Sequence, residues 1–212
     1  MKLDGIHHIT AITADAQRNV DFYVGVLGLR LVKKSVNQDD PVDHPVAGPE
    51  AIDFWAERLA NAGIEAQRNG DNLLFADPEG LDHELLVSDV KDAPLIAEHP
   101  EIPSEHALQG FHAVRAFSSQ PDASERLLET LGFTHGEGRW EARGDNRGSL
   151  LFYDEPAAGR GIQGAGTVHH VAWTSDDEVH EAWRERVEEG GGHPTPVIDL
   201  HYELEPRRVS PR

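Results

Sequence analysis

Four histidines stand as two adjacent pairs in matching settings near opposite ends of the chain, Gly5-Ile6-His7-His8-Ile9-Thr10 and Thr167-Val168-His169-His170-Val171-Ala172-Trp173. Neutral imidazole is the commonest protein ligand for divalent iron, manganese or zinc, so the repeat points to one metal held between two copies of a structural unit. Each pair lies in a strand-like run, and a strand sends neighbouring side chains to opposite faces. One imidazole of each pair is therefore expected to face a cavity while the other supports it. A lone His-His in a β-rich protein is ordinary; two pairs in the same setting carry the metal reading.

The elements that must position these pairs also repeat. Residues 5 to 32 read as a strand (Ile6 to Ile12), a helix (Ala16 to Leu27) capped by Asp15 and stopped at Gly28, and a second strand (Leu29 to Val36). Val20, Tyr23, Val24 and Leu27 fall on one helical stripe. The order recurs as strand Phe111 to Val114, helix Asp122 to Leu131 and stop Gly132, and again as strand Val168 to Trp173, helix Asp177 to Glu189 and stop Gly190. A fourth copy reads as having lost its opening strand: it starts with the helix Glu50 to Ala62 and continues as strands Asn72 to Phe75 and His83 to Val87 around the turn Asp77-Pro78-Glu79-Gly80. Four units of about 50 residues imply an α+β fold, with curled sheets round a site and helices outside. The expected division is 1–90, a linker at 91–106 and 107–212, although the acidic stretch Lys91 to Glu105 also reads as a surface loop within one domain.

Composition narrows the chemistry. Of 212 residues, 38% are hydrophobic, enough for a packed core, and no run approaches the roughly 20 apolar residues of a membrane span. The opening Met1-Lys2-Leu3-Asp4-Gly5 carries no apolar signal segment, which makes a cytoplasmic location the default expectation. Without cysteine, any metal must be held by His, Asp, Glu, Tyr or backbone oxygen. A formal charge of -19, with Lys2, Lys33, Lys34 and Lys91 as the only lysines, repels nucleic acid and anionic membranes. It also suits a halophilic source, where salt screens the self-repulsion.

Other conspicuous residues read as structural. His112 sits in an equivalent strand without a neighbouring histidine and reads as a core or supporting residue. His44, His83, His99, His106, His135, His180 and His193 fall in turns, exposed strands or acidic surfaces and are expected to be solvated. Trp55 and Trp183 take apolar helical positions and are expected in the core. Gly190-Gly191-Gly192 follows a helix, which is the wrong order for a phosphate cradle.

The strand histidines, the helices ending in Leu-Gly-Leu or Leu-Gly-Phe, and the Asp-Pro-Glu-Gly turn followed by Glu-Leu together resemble the vicinal oxygen chelate superfamily of glyoxalase I, bleomycin-resistance proteins and extradiol dioxygenases. More closely, Gly5 to Thr13, Asn19-Val20-Asp21-Phe22-Tyr23, Val26 to Lys34 and Val36-Asn37-Gln38-Asp39-Asp40-Pro41 are similar to the opening of hydroquinone-cleaving dioxygenases. The likeness resumes at Ile52 to Leu59 and runs more loosely to Tyr202. It implies Fe(II), or Mn(II), on a face of two histidines and one carboxylate between the first and fourth units, with no organic cofactor. By position His8 and His170 would be the ligands, His7 and His169 their neighbours, and His169 the acid/base beside a substrate hydroxyl. The implied reactants are O2 and a hydroquinone- or catechol-like aromatic, and a homo-oligomer is compatible.

Two departures accompany the resemblance. Beyond Pro41 such relatives continue through a β-hairpin region and the opening strand of the second unit, whereas Val42 to Pro49 here reads as a short bridge. Beyond Asp199-Leu200-His201-Tyr202 they carry two more strands, the last with the carboxylate ligand, and an arginine where this chain has Leu200. Three explanations stand open: the carboxylate lies in segments outside this sequence, Glu203, Glu205 or Glu84 replaces it, or the protein no longer turns over. The same scaffold also accommodates a nickel- or zinc-dependent lyase or isomerase that needs no O2, and a metal-free small-molecule binder.

Overall fold

A computed structural model describes residues 1–31, 42–88, 90–156 and 161–198. Strand β1 (Ile6–Ile12) leads to helix α1 (Ala16–Val20), whose N-cap Asp15 accepts the Gln17 and Arg18 N–H groups. From Asp21 to Val26 the helix widens into a π turn, and the Leu27 N–H donates to the Phe22 carbonyl. The buried pair is consequently Phe22 and Leu27, five residues apart, while Val20, Tyr23 and Val24 of the expected stripe are only half-buried. Gly28 ends the helix at φ +70, where a Cβ would lie 2.3 Å from Ile102 Cδ1. Residues 29–31 form no strand, and the rest of the strand expected to Val36 lies outside the described residues.

The bridge expected at Val42 to Pro49 is instead an opening strand, β2 (Val42–Val46), followed directly by helix α2 (Pro49–Asn61). It eluded the sequence reading because Val-Asp-His-Pro-Val lacks apolar alternation and contains proline, which removes a ladder donor. Pro45 is tolerated because pairing with β6 involves only Val42 and Asp43, so that ladder has ended before Pro45. On α2, Ala51, Ile52, Trp55 and Leu59 make a fully buried stripe. Burying side chains the size of Ile52 and Leu59 contributes roughly 1.5–3 kcal/mol each. Trp55 also donates from Nε1 to the His106 carbonyl at 2.7 Å.

Strands β3 (Ala66–Asn69), β4 (Asn72–Ala76) and β5 (Asp82–Val87) complete this half. The second half runs β6 (Ala113–Phe117), a 3-10 turn (Pro121–Ser124), α3 (Glu125–Thr130), β7 (Thr134–Gly136), β8 (Arg139–Arg143) and β9 (Gly148–Asp154). All eight strands form one open sheet in the order β3-β4-β5-β2-β6-β9-β8-β7. Strands β2 and β5 are parallel, as are β6 and β9, and β2 meets β6 antiparallel at the centre. The face carrying Val46, Leu73, Phe75 and Leu85 packs against α2. His44 and His83, expected in solvent, belong to this same face: each is 2% exposed, and their rings stack at 5.6 Å.

Strand β10 (Thr167–Trp173), then a 3-10 turn (Asp177–Val179) and α4 (His180–Glu189), follow. β10 pairs antiparallel with β1 as a separate two-stranded ribbon. Trp183, expected in the core, is 7% exposed.

Candidate functional site

The ribbon brings the two histidine pairs together. His8 Nε2 and His170 Nε2 are 3.1 Å apart, and the Thr10 hydroxyl also lies 3.1 Å from His170 Nε2. His7 Nδ1 is 2.7 Å from His8 Nδ1, and His169 Nδ1 is 2.9 Å from His170 Nδ1. Four imidazoles thus form a continuous row, His7, His8, His170, His169.

That row contradicts the expectation that each pair would split across the two faces of a strand. The ladder pairs Ile6 with Trp173 but His8 with Ala172, leaving His7 as an extra residue; it pairs Thr10 with His170 but Ala11 with Val168, leaving His169 extra. Each pair therefore sits at a β-bulge, which cancels the alternation and lets neighbouring rings meet edge to face at 5.0 and 5.2 Å. Bulges depend on cross-strand register, which is invisible to local pattern.

The row's ends are its support. If His8 and His170 each carry their proton on Nδ1 and donate to the Nδ1 of His7 and His169, both Nε2 atoms keep a lone pair for a cation, which at His170 would displace the Thr10 hydroxyl. Desolvation, followed by the charge of His7 and then of His170, lowers the His8 pKa; desolvation, then His169, lowers that of His170. Both shifts favour the neutral ring that a metal requires. Two imidazole nitrogens at right angles on one metal, each at about 2.1 Å, stand about 3.0 Å apart, so the observed spacing fits.

Both ends of the ribbon are clamped to the large sheet. At one end Asp4 accepts the Asn146 and Arg147 N–H groups, and the Ile6 N–H donates to Ser149 Oγ at 3.1 Å. At the other, Glu79 Oε1 accepts the Ala14 and Asp15 N–H groups at 2.7 and 3.1 Å. Phe133 meets Trp173 edge-on at 4.8 Å, joining β10 to the second core cluster. A cavity of about 950 Å3 reaches the row at His7, walled largely by apolar side chains including Ile6, Leu27, Leu108 and Phe111.

Among the described residues no group of three His, Asp or Glu side chains converges to hold a metal. Glu84 lies on β5 of the other sheet, where it accepts from Asn72 Nδ2 at 2.6 Å. Glu203 and Glu205 lie outside the described residues, as does Leu200. His112 is half-buried just before β6, and its backbone N–H donates to the Asp43 carbonyl.

An open eight-stranded mixed sheet with few helices, beside a histidine-bearing ribbon, defines an α+β scaffold. Residues 5–59 match the model of the glyoxalase/bleomycin resistance protein/dioxygenase superfamily. MhqO of Bacillus subtilis, which its name assigns provisionally to the ring-cleaving dioxygenases, is 33% identical over 249 residues, covering 95% of this chain and 79% of its own. The chain belongs to this family of ring-cleaving dioxygenases. The chlorohydroquinone/hydroquinone 1,2-dioxygenase of Sphingobium indicum is 25% identical, over 88% of this chain and 75% of its own. The crystal structure of a Bacillus subtilis protein, provisionally titled a dioxygenase, superposes with a TM-score of 0.78 at 29% identity, over 95% of this chain and 80% of that one. The alignment with MhqO is longer than the 212 residues of this chain, so MhqO has internal residues with no counterpart here.

Proposed function

We propose that this protein opens the ring of a hydroquinone- or catechol-like aromatic with O2, using Fe(II), or Mn(II) in its place, held by His8 and His170. The observation that carries the reading is the 3.1 Å approach of two Nε2 atoms from opposite ends of the chain, each backed by a second imidazole on its Nδ1. When bound, the metal supplies Lewis acidity towards a phenolic oxygen and an electron path between ring and O2.

The chain's own residues do the rest. His7 and His169 fix the ring planes and tautomers of His8 and His170. His169, exposed at the end of the row, directs its Nε2–H to a substrate or product oxygen, and takes up the substrate hydroxyl proton only once its Nδ1 has left His170. The apolar cavity, which meets the row at its His7 end, suits an aromatic body. The third ligand is proposed as a carboxylate outside the described residues; a place for Glu84 in the site is disfavoured by its position in the other sheet.

Anaerobic loading with Fe(II), followed by metal analysis and oxygen uptake with substituted hydroquinones and catechols, tests this. Stoichiometric iron and substrate-dependent uptake are expected. H8A and H170A should each lose iron, whereas H169N should keep it and lose about 10²–10⁴-fold in kcat. An iron-loaded protein that consumes no O2 with any of these aromatics overturns the proposal.

A further inference from the structure

The face of the large sheet turned away from α2 bounds a separate cavity of about 820 Å3. Alternation places Asp43 and its cross-strand partner Glu84 on that face, with Leu74 beyond Glu84 on β4 and Arg115 and Phe117 on β6. Asp43 is 4% exposed, and among the described residues no donor reaches its carboxyl. The wall's guanidinium gives its hydrogen bonds elsewhere, to Asp154 at 2.7 and 2.9 Å, and Arg115 acts on Asp43 through its charge alone, a smaller effect than burial and the Glu84 carboxylate. Among the described residues Glu84 receives only the amide of Asn72, on one oxygen. A buried carboxyl without a donor is costly, and a ligand that brings N–H groups removes that cost. Burial, and after it the Glu84 carboxylate, push Asp43 up to about 7, as expected of a group lacking its partner.

The shape of the site narrows the ligand. Leu74 and Phe117, 38% and 61% exposed, flank the β5–β2 floor on opposite sides and provide apolar walls. Glu65 and Asp82 add further negative charge to the lining. A bare divalent ion needs several converging oxygens, and among the described residues no such group of three exists. We propose that this face is a second ligand site, distinct from the histidine row, which takes a small organic ammonium ion with an apolar body. The ammonium donates to Asp43 and Glu84, and the body lies between Leu74 and Phe117, whose ring face favours a cation.

Benzylammonium is the probe, with benzyl alcohol and benzoate as neutral and anionic controls, titrated into the full chain by calorimetry at physiological salt. One benzylammonium should bind with a Kd of about 1 mM or tighter, the range open to so small a ligand, and both controls at least about tenfold more weakly. D43N and E84Q should each weaken it by about tenfold or more, and F117A by less. E84Q, a milder change on a half-buried side chain, keeps the test valid if D43N fails to fold. H8A and H170A should bind the probe unchanged, so failure of the dioxygenase reading leaves this result standing. No binding of benzylammonium, equal binding of benzyl alcohol, or loss of binding in H170A with retention in E84Q overturns the proposal.

Discussion

At the scale of single residues, adjacent positions on β2 couple folding to pH in opposite senses. Burial lowers the His44 pKa from 6.5 to about 4, so the folded state favours its neutral ring. The stability this represents is complete above pH 6.5 and is lost as pH falls towards 4, roughly 3 kcal/mol in all. His83, pushed down by burial and then by His44, acts in the same direction. Asp43 does the reverse. Its folded pKa of about 7 against an ordinary 3.8 means that stability present below pH 3.8 is lost as pH rises to 7, roughly 4 kcal/mol. Asp43→Asn should therefore stabilise the protein at pH 8 by about 2–4 kcal/mol and leave it nearly unchanged at pH 4. Urea unfolding at the two pH values checks this, and a variant less stable than the parent at pH 8 would disprove it. Neither burial was legible in the sequence: His44 and His83 read as solvated because polar residues usually are, and only the pairing of β2 with β5 beneath α2 encloses them.

At the scale of elements, the site depends on how the β1–β10 ribbon is held. The Asp-Pro-Glu-Gly turn was legible as a turn; the tertiary contact of its Glu79 with the start of α1 was not. One carboxylate oxygen there takes two backbone N–H groups at the helix entry, those of Ala14 and of Asp15, the latter shared with the Thr13 hydroxyl. Glu79→Ala should destabilise the fold by about 2 kcal/mol, and Glu79→Gln, which keeps an acceptor, by under about 1 kcal/mol. Equal denaturation midpoints for Glu79→Ala and the parent would refute the clamp. The helix periods of α2 and α4 were legible because their apolar stripes are local. The π turn after α1 was not, since widening to a five-residue repeat is set by the packing of Phe22 and Leu27 against the sheet core.

At the scale of the whole molecule, 38 acidic against 19 basic residues make self-repulsion the main long-range term. We propose that the protein is adapted to high salt. Its melting temperature should rise between low and molar potassium chloride, and a flat or falling curve in a thermal scan would remove the idea. Among the described residues no helix is long and apolar enough to cross a membrane, in keeping with the hydropathy of the chain. The family membership, the α+β class, most strands and helices, and the candidacy of His7, His8, His169 and His170 followed from the sequence alone. They could do so because period, capping and motif are short-range properties carried by consecutive residues. The tertiary structure decided that β2 is a central strand, that two bulges turn the paired histidines into one row, and that Asp43 and Glu84 face a second cavity. Those outcomes arise from pairing between residues far apart in the chain, and register between distant strands leaves no mark on either strand taken by itself.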